Sequence, residues 1–400
     1  MIDLCLVQFP NPILKNPKMY MPLGILYLAA VAEQAGYKVE VIDLRNGNKA
    51  LPQAQFYGFS CTTPEVNDAK RLAKEIRGTT IVGGGHASLM TEDCIGHFDY
   101  IVRGEGEEVI LDILSGKLGK GVISASRIDD LDKIPYPAWN KLDSPFSDTL
   151  FPGEKYGIGK PAATLIASRG CPFHCAFCGN IYHAPVVYRS VDNIIGELKA
   201  LIERGVYYFR FEDDNFTIHP QFEQLCEAIW RLGIHYKAHT RSDLIDIHKA
   251  RLLRASGCEE SGLGVESADD SVLRLNRKRE TASDHEEAVI ALKAAGIRVR
   301  VYWMAGLPGE TQNTIKLNMD FMKRLKPDKW TLSTFTPYPG CEVFHNPQKF
   351  GITIVDNDWS NWWNFVKDHY VHVLNGQTAK QMWRRYKDFY KWLEKGGWKN

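Results

Sequence analysis

The sequence has no long hydrophobic run, because its apolar residues never continue for the roughly 18 positions that a membrane-spanning helix needs. It also has almost no net charge, since 49 basic and 48 acidic residues leave a formal charge of +1. A general polyanion binder is therefore not expected, and we predict no nucleic-acid partner, although a local basic patch is not excluded. The first residues lack a basic segment followed by a small-residue cleavage site, so they predict a buried strand and no signal peptide.

The sequence also lacks an even number of cysteines, so the cysteines cannot all pair in disulfides. The chain has nine cysteines, and three of them fall within the short segment SRGCPFHCAFCGN. An odd number with one tight cluster fits a reducing compartment and a metal site better than a disulfide framework. We therefore expect a cytoplasmic protein, and its 400 residues suit two or three domains.

Residues 1–125 alternate short apolar strands with helical stretches. This alternation predicts βαβ units and a Rossmann-like, doubly wound parallel sheet, which binds ligands at the carboxyl ends of its strands. The segments at those ends are 8–12, 61–65, 83–88 and 103–108, and the last two are rich in glycine. Glycine permits close approach of a ligand to the backbone, but tight turns need glycine too. These residues alone leave ligand binding open.

Residues 126–160 are rich in Pro, Gly and Asp and predict a linker. Residues 161–345 then contain at least six strand–helix units, which predict a partial (β/α)6 barrel of the TIM type with its chemistry at the carboxyl ends of the strands. Residues 346–400 predict a helical, aromatic-rich C-terminal region. It holds six of the ten tryptophans, namely Trp359, Trp362, Trp363, Trp383, Trp392 and Trp398. Residues 378–394 predict a basic amphipathic helix, for which a solvated face and a membrane or acidic partner are both open.

The cysteine cluster has one ligand fewer than a closed metal site needs. Cys171, Cys175 and Cys178 are spaced to hold three irons of a four-iron cluster, which leaves the fourth iron open to a substrate or cofactor. A zinc site with His174 or His183 as the fourth ligand is an alternative, as is a chance group of buried cysteines.

The C-x3-C-x2-C motif at the end of the first barrel strand, with an aromatic residue before its last cysteine, resembles the signature of the radical S-adenosylmethionine (SAM) superfamily. The resemblance extends in order over residues 162–345. It implies a [4Fe-4S] cluster whose open iron binds the amino and carboxylate groups of SAM. It also implies reductive cleavage of SAM to a 5′-deoxyadenosyl radical that takes a hydrogen atom from the substrate. A reductant such as flavodoxin or ferredoxin is implied with it.

Matched position by position, the resemblance implies a set of site residues. The cluster ligands are Cys171, Cys175 and Cys178, and the SAM contacts are Phe177 at the adenine, Glu212, Asp213 and Asp214 at the amino group, Arg241 at the carboxylate, Glu266 with Ser267 at the ribose, and the backbone of MAGLPGE, including Gly306, along the adenine. The chain lacks the common Gly-Gly-Glu form of the amino-group motif. A carboxylate at a strand end is also a frequent helix cap, and Arg241 has a local carboxylate available in Asp243.

The first 125 residues resemble the cobalamin-binding domain that precedes many radical SAM barrels, through the segments MPLGILYLAA, VGGGHAS, VRGEGEE and IPYPAW. The Asp-x-His-x-x-Gly signature is absent, so no histidine is offered there as a lower ligand to cobalt. The residues implied at the cobalamin are Gly83, Gly84, Gly85, His86, Gly104 and Glu105, with His86 as a residue of the glycine loop near the nucleotide tail and not as a ligand of cobalt. A domain that kept the fold and lost the ligand is the alternative.

Methylthiotransferases, a related family, hold a second cluster on three N-terminal cysteines. Cys5, Cys61 and Cys94 match that number, but Cys5 lies in an apolar strand and Cys94 in a predicted helix, as buried structural cysteines do.

The function implied by both resemblances is methylation of an unactivated carbon. One SAM gives the radical, and a second one methylates cob(I)alamin to methylcobalamin, from which the substrate radical takes the methyl group. A radical rearrangement, cyclisation or oxidation without methyl transfer is the first alternative. A non-catalytic iron–sulfur or zinc-binding module is the second. Neither the substrate nor a catalytic hydrogen donor is predicted, although Tyr338 and Cys341 are candidates to line the pocket.

Overall fold

A computed structural model of the protein describes residues 2–10, 21–47, 49–142, 146, 160–183, 185–365 and 369–397. The chain divides into two compact units, Met1–Thr164 and Leu165–Asn400. The finer division at residues 125, 160 and 345 stays a prediction, because much of the linker, like Trp398 and residues 11–12, lies outside the described residues. Among the described residues, no helix has the length and apolar character needed to cross a membrane.

The first unit contains a six-stranded sheet with the order β2-β1-β3-β4-β5-β6, in which every paired neighbour is parallel. Its elements are β1 Ile2–Gln8, α1 Leu23–Gln34, β2 Val39–Asp43, β3 Ala54–Ser60, α2 Val66–Glu75, β4 Thr79–Gly83, α3 Gly84–Leu89, α4 Thr91–Cys94, β5 Tyr100–Arg103, α5 Gly106–Leu114 and β6 Gly121–Ser124. This arrangement confirms the predicted doubly wound sheet. Strand order reverses between β1 and β3, so the ligand edge of such a sheet lies at the carboxyl ends of these two strands.

Burial in the first unit follows from this topology. Leu4, Cys5, Leu6 and Val7 of β1 are all buried in succession, as expected for a central parallel strand covered on both faces. Cys94 ends α4, and both it and Cys61 are buried. These positions agree with buried structural cysteines.

The second unit contains a six-stranded sheet with the order β14-β13-β12-β11-β10-β7, so strands that are consecutive along the chain are neighbours in space. Its elements are β7 Ala162–Leu165, β8 Ser168–Arg169, β9 Val187–Tyr188, α6 Val191–Ile202, β10 Tyr208–Phe211, α7 Phe222–Trp230, β11 His235–Thr240, α8 Ile247–Ala255, β12 Cys258–Glu266, α9 Asp270–Leu275, α10 Ala282–Ala294, β13 Arg298–Ala305, α11 Gln312–Leu325, β14 Lys329–Thr334, α12 Glu342–His345, β15 Ile352–Ile354, β16 His372–Leu374 and α13 Ala379–Lys395. Strands β8 and β9 form one antiparallel pair, and β15 and β16 form another. This confirms the predicted partial barrel.

The two faces of the barrel sheet differ because side chains alternate along a strand. In β13 the residues Val299, Val301, Trp303 and Ala305 are buried, whereas the alternate residues are polar or only partly buried. Polar side chains from neighbouring strands therefore share one face. Glu260 of β12 lies there within ion-pair distance of Lys237 at 3.8 Å, Arg300 at 3.1 Å and Lys329 at 2.7 Å. Burial opposes its ionisation, yet these three cations lower the pKa of Glu260 to about 2.

The C-terminal residues pack onto the barrel as part of its core. Helix α13 begins at a capping box of Thr378 and Gln381 and buries Met382, Phe389 and Leu393. Trp362 is also buried, and its indole Nε1 donates to the Asp356 carbonyl at 3.2 Å. The buried aromatic residues of this region thus stabilise the second unit. Among the basic side chains of α13, Arg385 is buried and pairs with Glu310 at 3.2 Å, whereas Lys380, Arg384 and Lys387 are exposed.

Candidate active site

The cysteine loop between β8 and β9 is held by backbone hydrogen bonds from distant parts of the chain. The Ala176 N–H donates to the Asn276 carbonyl at 2.8 Å, and the Ala176 carbonyl accepts from the Val343 N–H at 3.1 Å. Within the loop, the Cys178 N–H donates to the Cys175 carbonyl at 3.0 Å. These bonds fix the middle of the C-x3-C-x2-C motif before any cofactor binds.

A cavity of about 410 Å³ opens beside this loop, at the carboxyl end of the barrel sheet. It brings together nine of the residues predicted from the sequence, which are Cys171, Cys175, Cys178, Phe177, Glu212, Asp213, Asp214, Arg241 and Glu266. It is also lined by Phe173, Asn180, His239, Thr240, Gly262, Gly264, Lys278 and Tyr302. Ser267 and Gly306 are not among its lining residues.

The three thiols fit an iron–sulfur cluster by the chemistry of the donor set. They share one loop, face one cavity and are the ligand type that such clusters use. Burial raises the pKa of all three thiols, and that of Cys178 rises to about 12, so binding of iron must displace protons. No group of three or more His, Cys, Asp or Glu side chains in the described part of the chain is arranged around a single metal ion.

The acidic segment after β10 divides into carboxylates with different surroundings. Asp213 is buried and accepts hydrogen bonds from the Ala167 N–H at 2.9 Å and the Ser168 hydroxyl at 2.6 Å. Burial raises its pKa to about 6. Asp214 is exposed and accepts from the Asn180 amide at 2.7 Å, while Glu212 pairs with Arg210 at 2.7 Å. Asp213 thus braces the strand that leads into the cysteine loop, and Glu212 and Asp214 are better placed to meet a ligand cation.

Arg241 is engaged mostly by the chain itself. Its guanidinium donates to both carboxylate oxygens of Asp243, at 3.0 and 2.9 Å, and to the Lys278 carbonyl at 3.0 Å. Nη1 lies 3.8 Å from Cys175 Sγ, and the guanidinium carbon stands 3.8 Å from the centroid of the Phe173 ring. Arg241 therefore ties the third-strand loop to the cysteine loop, and few of its donors are left for a ligand.

Glu266 ends β12 in a left-handed backbone conformation, with φ of 62°. The β12–β13 register shifts at this point, and strained non-glycine residues of this kind concentrate at functional sites. Burial raises the pKa of Glu266 to about 7. The nearby ammonium of Lys278 opposes this rise, and the carboxylate of Glu280 adds to it. A carboxyl that changes charge near neutrality therefore faces the cavity.

Lys278 is a site residue that sequence reasoning missed. Its Nζ lies 2.9 Å from Glu280 Oε2, and Glu280 also accepts the Ser242 N–H at 2.7 Å. Although burial opposes protonation, Glu280 and Glu266 raise the pKa of Lys278, so it is an ammonium. It follows α9 in an irregular segment, where no strand-end rule points to it.

His239 and Tyr302 were also missed, although alternation along β11 and β13 places both on the polar face of the barrel sheet. The His239 Nε2 accepts from Arg210 at 2.8 Å, because a guanidinium can only donate. Burial lowers the pKa of His239 to about 3, so it is a neutral ring at the cavity wall. A methyl group added to Gly262 would lie 2.7 Å from His239 Nδ1 and 2.8 Å from the Tyr302 ring, so glycine at this position allows both rings to pack close to β12.

The remaining two predicted SAM residues have structural surroundings. Ser267 is buried, and its hydroxyl accepts from the Asp269 N–H at 3.1 Å. The Gly306 N–H donates to Glu310 at 2.8 Å, and its carbonyl accepts from His372 at 2.9 Å. Their contacts with SAM stay predictions.

The predicted cobalamin residues lie at the carboxyl edge of the first sheet. His86 is on α3 and not in a loop; it is fully buried, with Nε2 2.9 Å from Asp93 and Nδ1 3.3 Å from Thr63. Glu105 is likewise engaged, since it accepts the Ile128 N–H at 2.6 Å.

The glycines at this edge are of two kinds. Gly83 ends β4, whereas Gly84 and Gly104 have positive φ of 87° and 94°, and a methyl group added to either would come within about 3 Å of backbone atoms. Beside Gly85 such a methyl group would meet nothing within 4 Å. The edge therefore offers open backbone at Gly85, and the imidazole of His86 is held by Asp93 and Thr63, which fits a corrinoid that takes no histidine ligand from residues 83–88.

Comparison with known proteins agrees with these two sites. The family model described as the radical SAM superfamily matches residues 165–322, and that of the B12 binding domain matches residues 15–114. By these matches the chain contains a radical SAM domain and a B12 binding domain. Its cysteine loop and the strand ends that line the cavity lie inside the first match, and the glycine-rich edge lies inside the second.

Relatives of this radical SAM protein span both units. An uncharacterized methyltransferase of Pyrococcus horikoshii is 27% identical over 92% of this chain and 87% of its own length. The hopanoid C-3 methylase of Methylococcus capsulatus is 28% identical over 85% of this chain and 72% of its own length. The anaerobic magnesium-protoporphyrin IX monomethyl ester cyclase of Rubrivivax gelatinosus is 27% identical over 86% of this chain and 69% of its own length.

Solved structures share the fold of this radical SAM protein. The radical SAM methyltransferase TsrM from Kitasatospora setae, solved with cobalamin and a [4Fe-4S] cluster bound, matches with a TM-score of 0.71 at 16% identity and covers 97% of this chain and 91% of its own. The cobalamin-dependent SAM radical enzyme OxsB matches with a TM-score of 0.64 at 17% identity, and the match covers 88% of this chain and 56% of OxsB. The predicted family and fold class are confirmed.

Proposed function

We propose that this chain is a cobalamin-dependent radical SAM enzyme that methylates an unactivated carbon. The observation that carries the proposal is the cavity in which three cysteine thiols meet carboxylates from successive strand ends and the buried ammonium of Lys278. The matching cobalamin-domain model and the methyltransferases among the relatives support the second cofactor and the reaction.

The cofactors supply the radical and methyl-transfer chemistry when they are bound, and the protein supplies binding, orientation and exclusion of water. Cys171, Cys175 and Cys178 would hold the cluster. Glu212 and Asp214 are the carboxylates that suit the SAM ammonium, because charge-assisted hydrogen bonds are the stronger ones.

The other end of SAM meets different groups in the same cavity. We assign its carboxylate to the ammonium of Lys278, which lines the cavity and has Glu280 as its ion-pair partner among the described residues. The guanidinium of Arg241, by contrast, already donates to both carboxylate oxygens of Asp243 and to the Lys278 backbone carbonyl. Glu266 suits the ribose diol as a hydrogen-bond acceptor. Phe177 lines the cavity where the resemblance puts the adenine.

In the first unit, Gly83, Gly84, Gly85 and Gly104 form the edge at which cobalamin would bind. His86 and Glu105 would support that edge from behind, because both are engaged by other residues of the same unit. All nine cysteines are free, which supports a reducing cytoplasmic location.

Cyclisation without methyl transfer is the second candidate, because the cyclase of Rubrivivax gelatinosus aligns over 86% of this chain. The two candidates differ in their product. Only a methyltransferase adds a methyl group from SAM to the substrate, so SAM labelled with deuterium in its methyl group distinguishes them by product mass.

The experiment compares Cys178→Ala with Cys226→Ala after anaerobic reconstitution with iron and sulfide. Cys226 is a buried cysteine on α7, outside the cavity. With a strong reductant, wild type and Cys226→Ala should convert SAM to 5′-deoxyadenosine, and Cys178→Ala should not. A wild-type protein that takes up the cluster and never cleaves SAM would contradict the proposed function.

A further inference from the structure

A basic segment, defined here as Arg274–Glu280, lies directly against the cysteine loop. Its Asn276 carbonyl accepts the Ala176 N–H at 2.8 Å, and Ala176 stands between two of the cluster cysteines. The Asn276 side chain is fully buried and donates to the Val272 and Pro308 carbonyls, both at 2.9 Å. The basic segment is therefore a fixed neighbour of the cluster site.

The backbone of the basic segment is strained, and its conformation places some side chains in solvent and others in the interior. Arg277 and Arg279 have φ of 54° and 57°, a left-handed conformation that residues with a side chain seldom adopt. As a result Arg277 and Arg279 are exposed, whereas Lys278 between them is buried and reaches the cavity. Strain of this kind persists where the surrounding structure enforces it, and it clusters at functional sites.

The outer side of this segment carries positive charge with little compensation. Arg274, Arg277 and Arg279 are all exposed, and within the described ranges neither Arg274 nor Arg279 forms an ion pair. Arg277 pairs with Glu342, which also pairs with Lys349 at 2.8 Å. Of these three arginines and Lys349, only Arg277 and Lys349 have a carboxylate partner among the described residues, and it is the same one, in a chain whose net charge is only +1.

Two acidic residues flank this segment along the chain, and both form hydrogen bonds at the start of a helix. Asp270 accepts the Ala282 N–H at 2.8 Å, and Asp284 accepts the N–H and the hydroxyl of Thr281 at 2.7 and 2.8 Å. The face formed by Arg274, Arg277, Arg279 and Lys349, called here the basic face, has Glu342 as its ion-pair partner among the described residues, which leaves an excess of positive charge beside the cluster cysteines.

We propose that the basic face docks an acidic one-electron carrier protein of the flavodoxin type, which reduces the cluster. The inference rests on the proposed function, since reductive cleavage of SAM needs one electron for each event. In the docked complex the reduced flavin loses one electron and the cluster gains it, and no bond forms or breaks in this step. Complementary charge mainly raises the rate of such encounters, because opposite potentials steer the partners together.

The test compares Arg274→Glu/Arg279→Glu with the control Arg204→Glu/Arg251→Glu. The control arginines are exposed residues of the same unit, and neither forms an ion pair among the described residues. Both proteins are reconstituted with the cluster, and bleaching of its visible absorbance is followed by stopped flow without SAM. Reduced flavodoxin is the first electron donor, and the methyl viologen radical cation is the second.

We expect the basic-face variant to be reduced by flavodoxin about tenfold more slowly than wild type, with a weaker dependence on salt. Reduction by the cationic viologen should be unchanged or faster, because the added carboxylates attract it. The control should match wild type with both donors. The neutral variant Arg274→Gln/Arg279→Gln should show a smaller loss of the same sign.

Equal flavodoxin rates in the basic-face variant and the control would overturn the proposal. A fall with both donors, or failure of both the charge-reversed and the neutral variant to hold the cluster, would also overturn it, since the segment would then serve the cluster and not a partner. Because SAM is absent from these measurements, their outcomes are separate from those of the proposed function, which is tested by cleavage of SAM and by methylation of the product.

Discussion

Replacement of Arg241 by methionine distinguishes a residue that holds the chain together from one that binds SAM. Methionine keeps much of the length but removes the donors to Asp243 and the Lys278 carbonyl, together with the charge 3.4 Å from Glu280. Glu280 is left buried with Lys278 as its cation, and breaking one arm of such a network costs about 3–5 kcal/mol. For a unit of this size we expect the melting temperature of the second unit to fall by about 10 °C.

Arg241→Lys is the matched control, because it keeps the charge and loses the planar fork. Thermal unfolding of the cluster-free protein gives the stability, and equilibrium dialysis of the reconstituted protein gives the SAM affinity. We expect the lysine variant to lose less stability and to bind SAM within about tenfold of wild type. If Arg241→Met melted like wild type and lost SAM affinity more than a hundredfold, Arg241 would be a ligand-binding residue and the structural role would be refuted.

Other substitutions test the site in further ways. Because the pKa of Glu266 is raised from 4.5 to about 7 in the folded protein, its contribution to stability is complete below pH 4.5 and is lost as the pH rises through about 7. Glutamine does not titrate, so the melting temperature of Glu266→Gln should rise relative to that of wild type between pH 5 and pH 8. A difference in melting temperature that stays constant with pH would refute this. Gly306→Ala should melt well below Gly376→Ala, because both have positive φ but only at Gly306 would the methyl group lie 2.7 Å from Tyr370; equal melting would contradict the packing. Asp213→Asn should lower stability by about 1–3 kcal/mol, since its amide would face a backbone N–H, and unchanged melting would refute that.

The sequence predicted the parts of the site that follow from local pattern. Strand periodicity and the order of strand ends place the cysteine loop, Glu212, Arg241 and Glu266 at one edge of a parallel sheet, and the structure brings them to one cavity. The topology of a parallel barrel does this without knowledge of any long-range contact, because consecutive strands are neighbours.

The parts that escaped prediction depend on contacts between distant segments. Lys278 points into the cavity only because its left-handed neighbours turn outward, and no periodicity governs such a segment. The capture of Arg241 by Asp243 was foreseen as an alternative, but its position over Phe173 was not. His86 belongs to a short helix packed against Asp93 and Thr63, whereas its glycine-rich neighbours favoured a loop.

Cobalamin-dependent radical chemistry in this protein is tested most directly by the visible spectrum of protein purified without oxygen from cells supplied with cobalamin. We expect iron–sulfur absorbance together with corrinoid bands in the same protein, because the cysteine loop and the glycine edge would each hold their own cofactor. Iron–sulfur absorbance without corrinoid bands, despite the supplied cobalamin, would contradict methyl transfer through cobalamin.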